Sequence, residues 1–285
     1  MHQNKDGNTQ QVSERYGAYA KQVTDLGTSL PFNTDGCAPQ TDQVVDTLAE
    51  RLYSDKDLSD LPTSVTDASL GCGNPVAIAG LILGERVLDL GSGGGIDCFM
   101  ASKAVGENGY VIGVDATPDM IALANKNKEK MGLKNVEFRL GNIEALPVDS
   151  QSIDLIISNC VIDISPDKTA VFQEAYRVLK SGGRLAISDT VIMGEIPPKL
   201  KAKIDLWAGA VITPLIDLID FLQYMTDAGF VDIRVESLTS YGLENFAELD
   251  AASQQLLTDG EPWQPLPPQT GLYSARIWAG KPYID

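Results

Sequence analysis

The segment from Arg86 to Asp115 constrains the fold more than any other part of this 285-residue chain. Val87 to Leu90 is a short apolar run that reads as a buried strand. It is followed by Gly91-Ser92-Gly93-Gly94-Gly95, a loop in which the backbone can turn sharply and come close to a ligand before a helix opens at Ile96. Asp115 closes the next apolar run, Tyr110 to Val114, and stands 20 residues past Gly95. A carboxylate at that distance can accept hydrogen bonds from both hydroxyls of a ribose. Strand, glycine loop, helix and acid-tipped strand together predict a site for an adenosine-containing cofactor.

The spacing of the glycines bears on which cofactor. A dinucleotide fingerprint wants a small residue where this chain has Ile96, because the helix amides must reach a pyrophosphate. The spacing here is G-x-G-x-G. Val136 to Leu140 reads as the third strand, followed by Gly141-Asn142-Ile143-Glu144-Ala145-Leu146-Pro147; Ile153 to Asn159 reads as the fourth; Val178 to Leu185 turns into a fifth that ends at Asp189. This succession resembles the class I S-adenosylmethionine-dependent methyltransferases over roughly residues 70 to 240. The resemblance implies an α/β, Rossmann-like fold with a seven-stranded, mostly parallel sheet and helices on both faces, an N-terminal cap and C-terminal lid insertions. It also implies that Asp89, Gly91, Ser92 and Gly93 face the methionine part of S-adenosylmethionine, with Asp115 and Ala116 at the ribose, Asn142 and Ile143 at the adenine, Asn159 nearby and Tyr16 as a cover.

The formal net charge of −17 argues against nucleic acid as a partner, since binding phosphates needs a basic stripe that releases counterions. No apolar run of 18 residues is present, and the opening Met1-His2-Gln3-Asn4-Lys5-Asp6 lacks the apolar stretch of a signal peptide. A cytoplasmic protein with no membrane partner is expected, and in that setting four cysteines read as thiols rather than a disulfide framework. Residues 1–68 are polar and mixed, with a helical pattern around Val44 to Leu52, and read as a cap. Residues 69–240 form the expected core, with a substrate lid around 193–215. Residues 241–285 complete the sheet. Within these, Ile216 to Ala228 reads as a helix stopped by Gly229, Val231 to Leu238 and Ser274 to Gly280 as the last strands, and the proline-rich Gly260 to Gln269 as an exposed connection.

Three cysteines stand where a small buried hydrophobe is not needed. Cys160 directly follows the fourth strand, and in an open parallel sheet ligands sit at the carboxyl ends of the strands. Cys72, in Gly71-Cys72-Gly73-Asn74-Pro75, and Cys37, in Asn33-Thr34-Asp35-Gly36-Cys37, lie in glycine-bounded loops. Cys98 falls inside the helix after the glycine loop and reads as packing. These segments, with Ile96-Asp97-Cys98-Phe99 and above all Ser158-Asn159-Cys160-Val161-Ile162-Asp163-Ile164-Ser165-Pro166-Asp167-Lys168, resemble the arsenite methyltransferase family. The resemblance implies that Cys72 and Cys160 hold trivalent arsenic, that Cys37 takes part in catalysis, and that a thiol such as glutathione or thioredoxin supplies reduction. Soft thiolates suit a soft metalloid, and a pyramid of three leaves its lone pair free for in-line attack on the methyl carbon.

The chain departs from the family at Ala210, where the family carries a further arsenic-binding cysteine. The third ligand would come from Cys37, a small thiol or hydroxide; alternatively, the lid has been rebuilt for a small organic acceptor. The one histidine is His2, so a histidine general base is not expected. Transfer to an arsenic lone pair needs none, whereas a carbon or nitrogen acceptor would call on Asp163, Asp189 or Tyr16. A metalloid sensor lacking the cofactor is a further reading, opposed by the intact glycine loop and Asp115.

Overall fold

The computed structural model describes residues 14, 16–18, 20, 21, 53, 61–66, 73–201, 215–241 and 269–283. Cys37, Cys72 and Ala210, the helical pattern over 44–52 and most of the expected lid lie outside these residues. Along the described chain, the short helix α1 (Thr63–Thr66) is followed by β1 (Arg86–Leu90), α2 (Ile96–Val105), β2 (Tyr110–Asp115), α3 (Pro118–Met131) and β3 (Val136–Leu140). Then come β4 (Ile153–Asn159), α4 (Lys168–Val178), β5 (Leu179–Met193), α5 (Leu218–Asp227), β6 (Val231–Ser240) and β7 (Gly271–Gly280). The strands form one seven-stranded sheet in the order β3-β2-β1-β4-β5-β7-β6. Neighbours from β3 to β5 are parallel, and β7 runs antiparallel to both β5 and β6. This is the Rossmann-like class I methyltransferase fold that the sequence implies.

The core is split by the sheet because successive strand side chains point to opposite faces. Leu88, Leu90, Ile156, Leu185 and Ile187 pack on one face against Phe172 of α4 and Phe221 of α5. Val87, Val111, Leu155, Ile157 and Ala186 pack on the other against Phe99 of α2, with Tyr53, Val65 and Ala124 in the same cluster. Strands covered on both sides read as continuous apolar runs, which is how Leu155 to Ile157 announces itself in the sequence. Each fully buried leucine or isoleucine here stabilises the fold by roughly 1.5–3 kcal/mol.

Two elements differ from the sequence reading. β5 continues four residues past Asp189 to Met193, because its ladder with β7 extends from Arg184↔Gly280 to Met193↔Gly271. β7 accordingly begins at Gly271, three residues before Ser274. The pairing that lengthens both strands joins segments about eighty residues apart, which local periodicity does not register. α5 is set as read: the Asp217 carboxylate accepts the Ile219 amide at 2.8 Å at its start, and Gly229, with φ of 99°, takes the left-handed turn after its end.

Candidate functional site

The carboxyl ends of β1, β2 and β4 meet where the strand order reverses, and the glycine loop lies across that edge. Gly91 and Ser92 both donate their amides to the Val114 carbonyl, at 2.8 and 3.0 Å, tying the loop to β2. Gly95 begins α2 at φ of 97°, with no room for a side chain: a Cβ there would lie 2.8 Å from the Phe99 ring. The loop, Ser92 included, lines the wall of an open cleft. Ser92 Oγ is buried without a hydrogen-bond partner, an orphan that a bound molecule can satisfy.

Asp115, at the tip of β2, is held by the same loop. Its carboxylate accepts the Gly93 amide at 2.9 Å and the Thr117 amide at 2.8 Å. Burial raises its pKa, and these two amides oppose the rise by bonding the charged form. Each oxygen keeps a further lone pair for ligand hydroxyls. Ala116, Asn142 and Ile143 line the cleft beside it, and so does Tyr16, from the N-terminal part of the chain. Asp89 is placed differently: it is 2% exposed, does not line the cleft, and accepts a bond from the Cys98 thiol at 3.2 Å. Burial and then the charge of Asp97 hold the Asp89 carboxyl well above the usual carboxylate range. Cys98, read as packing, is a free and buried thiol whose one hydrogen bond goes to that acid.

The cleft also contains an acid that sequence reasoning did not single out. Asp97, in the first turn of α2, is 4% exposed and lines the cleft. It accepts the Tyr53 hydroxyl at 2.9 Å and the Asn159 amide at 3.2 Å. Burial lifts its pKa to about 6, against those two hydrogen bonds. Asn159, at the end of β4, also donates to Tyr53 Oη at 3.0 Å and to the Gly73 carbonyl at 2.8 Å, and accepts the Gly73 amide at 3.2 Å. The available signal for Asp97 was its distance of two residues from the glycine loop. Tyr53 carries no local signal, being 44 residues from the acid it bonds.

Cys160 follows Asn159 and lines the cleft at φ of 53°, a left-handed conformation uncommon for a side chain of this kind. Its amide donates to Ser188 O at 2.9 Å, and its sulfur lies 3.7 Å from Thr190 Oγ1. The expectation of a free thiol fails at this position: Cys160 is disulfide-bonded. A thiol at an open strand end is accessible to a second thiol, whereas Cys98 is sealed beneath α2 and stays free. Asp163 and Asp189 do not line the cleft. Asp189 spends its carboxylate on the amides of Ile162, Asp163 and Thr190, and Lys168 caps the carbonyls of Asp163 and Ser165, so this cluster holds the loop after Cys160 in shape.

The charge of the lining selects among ligands. Its charged side chains are Asp97, Asp115 and Glu144, with no lysine, arginine or histidine among the described residues that line it. A pyrophosphate placed here would face carboxylates with no cation to offset them, whereas a ligand with an ammonium and a cationic sulfur meets opposite charge. S-adenosylmethionine fits this cleft in charge, in its ribose acceptor and in the unpaired Ser92 hydroxyl. No helix among the described residues is long and apolar enough to cross a membrane.

The chain is similar to known proteins in the same terms. Residues 83–239 match a family model described as a methyltransferase domain. An arsenite methyltransferase from Halobacterium salinarum is 43% identical over 229 residues, covering 79% of this chain and 57% of that protein. A human arsenite methyltransferase is 36% identical over 210 residues, covering 69% of this chain and 51% of that protein. The chain therefore spans about half the length of the curated relatives it matches. Among solved structures, an arsenic(III) S-adenosylmethionine methyltransferase from Chlamydomonas reinhardtii is 34% identical, with a TM-score of 0.66 over 84% of this chain and 75% of that one.

Proposed function

Because this chain belongs to the arsenite methyltransferase family of S-adenosylmethionine-dependent methyltransferases, we propose that it transfers methyl groups to trivalent arsenic, arsenite or methylarsenite, held by cysteine thiolates. The observation that carries this reading is that Cys160 lines the same cleft as the glycine loop and Asp115. S-adenosylmethionine supplies a methyl group on a cationic sulfur. Asp115 receives the ribose, Ser92 receives a polar group of the donor, and Asp97 offers a carboxylate to its ammonium. Asn142 and Ile143 bound the adenine, and Tyr16 covers it.

Cys160 and Cys72 are the arsenic ligands in this account. Asn159 supports the pairing: by bonding both the amide and the carbonyl of Gly73, it ties the residue after Cys72 to the residue before Cys160. With Ala210 where the family has a further cysteine, the third ligand is Cys37, a small thiol or hydroxide. The arsenic lone pair forms the new bond to carbon as the carbon–sulfur bond breaks, and no proton leaves the nucleophile. A general base is therefore not required. The disulfide on Cys160 must be opened before that sulfur can bind arsenic. Glutathione or thioredoxin would supply those two electrons, and the two that return the methylated, formally pentavalent product to the trivalent state.

Thiol alkylation followed by mass spectrometry tests the ligand assignment. In protein first reduced and then freed of reductant, arsenite should protect Cys160 and Cys72 from iodoacetamide; equal labelling with and without arsenite contradicts it. Ala210 favours one other reading, a small organic acceptor, which would appear as methyl transfer that survives Cys72→Ser.

A further inference from the structure

At the end of the cleft nearest Cys160, four polar groups from separate parts of the chain form a closed network. Tyr53 Oη donates to Asp97 at 2.9 Å and accepts from Asn159 at 3.0 Å, while Asn159 donates to Asp97 at 3.2 Å. Asn159 completes the network through Gly73. Tyr53 is itself 4% exposed, with its ring in the apolar cluster beneath α2. Burial, and then the Asp97 charge, push its hydroxyl well above the usual tyrosine range, so it remains a donor. Asp97 faces the cleft on one side and this donor on the other.

We infer that Tyr53 is a positioning residue for the methyl donor: it orients Asp97 so that the carboxylate receives the donor's ammonium. This deepens the proposed function and rests on it. Asp115 serves the ribose from the tip of β2, which leaves Asp97 and Asn159, beside Cys160, as the polar groups for the amino-acid end. Burial opposes ionisation of Asp97, while the Asp97 charge in turn raises the pKa of Asp89 on β1, on which Asp115 also bears. Cys98, on α2 itself, is held neutral by burial. Tyr53 and Asn159 are the groups that oppose this, and both do so by donating to the charged form. Without the Tyr53 hydroxyl, the carboxyl of Asp97 holds its proton to higher pH.

The test is calorimetric titration of reduced protein with S-adenosylhomocysteine, which has the ammonium, and with methylthioadenosine, which has the adenosine and lacks the amino-acid end. Each is titrated from pH 5.5 to 8.5 into the unaltered protein, Tyr53→Phe and Asp97→Asn. The unaltered protein should lose S-adenosylhomocysteine affinity as pH falls through about 6. Tyr53→Phe should bind it about tenfold more weakly at neutral pH, the scale of one hydrogen bond to a charged group, with the fall moved to higher pH. Asp97→Asn should abolish the fall, and methylthioadenosine should bind alike to all three. Tyr53→Phe with the unaltered profile overturns the inference, as does equal loss of both ligands, which marks a merely structural role. Should that variant not fold, a fall persisting in Asp97→Asn overturns it. If the unaltered protein binds neither ligand, the proposed function fails and this inference fails with it.

Discussion

Replacing Asp115 by alanine removes the acceptor at the ribose end of the cleft, and its effect can be sized from the local bonds. The carboxylate accepts the Gly93 and Thr117 amides at 2.9 and 2.8 Å. In the proposed function its remaining lone pairs accept the ligand's hydroxyls. Hydrogen bonds to a charged group are worth about 1.5–3 kcal/mol, so Asp115→Ala should raise the Kd for S-adenosylhomocysteine by roughly 10- to 150-fold. The loss should be the same for methylthioadenosine, since both carry the ribose. Asp115→Asn should lose nearly as much: its side-chain oxygen can still accept one amide, but its NH2 would face the other. Isothermal titration of the two ligands decides the matter. A Kd within twofold of the unaltered protein for either ligand would refute the ribose assignment.

Three other perturbations follow from the same contacts. The folded-state pKa of Asp97, about 6, lies above its ordinary 3.8, so between those values the folded protein holds a proton that the unfolded chain has released. Stability should therefore fall by roughly 3 kcal/mol as pH rises through that window, with Asp89 and Asp189 adding to the same trend, and urea midpoints at pH 5 and 8 that coincide would contradict this. Gly95→Ala should destabilise the fold by about 1–3 kcal/mol, from the left-handed φ and the contact with Phe99, and an unchanged melting temperature would show that the loop yields freely. Cys160→Ser should keep S-adenosylhomocysteine binding and abolish arsenic methylation, because a hydroxyl is a hard and feeble ligand for arsenic; a retained rate would remove Cys160 from the mechanism.

What the sequence disclosed depended on the range of each signal. The nucleotide half of the fold was legible because its parts are consecutive: an apolar strand, a loop whose glycines have no substitute, and an acid at a fixed distance. The doubly covered strands were legible as short runs that are mostly apolar, broken by Asp89 in β1 and Asp154 in β4. The full length of β5 was not, since its last four residues pair with Gly271 to Ser274, far along the chain. Asp97 looked like any acid in the first turn of a helix, a position that favours acids whatever their surroundings. Its burial becomes visible only when Tyr53 and Asn159 are brought against it. The disulfide on Cys160 was hidden for another reason, because the sequence fixes where a thiol stands and not its redox state.

The central claim is that this cleft places a methyl donor beside thiolate-held arsenic. The measurement that bears on it most directly is incubation of the reduced protein with methyl-labelled S-adenosylmethionine, glutathione and either arsenite or methylarsenite, followed by chromatographic separation of the arsenic species. The account predicts label in methylated arsenic, lost in Cys160→Ser and greatly reduced in Asp115→Ala. Binding of the donor with no label on arsenic from either acceptor would contradict it.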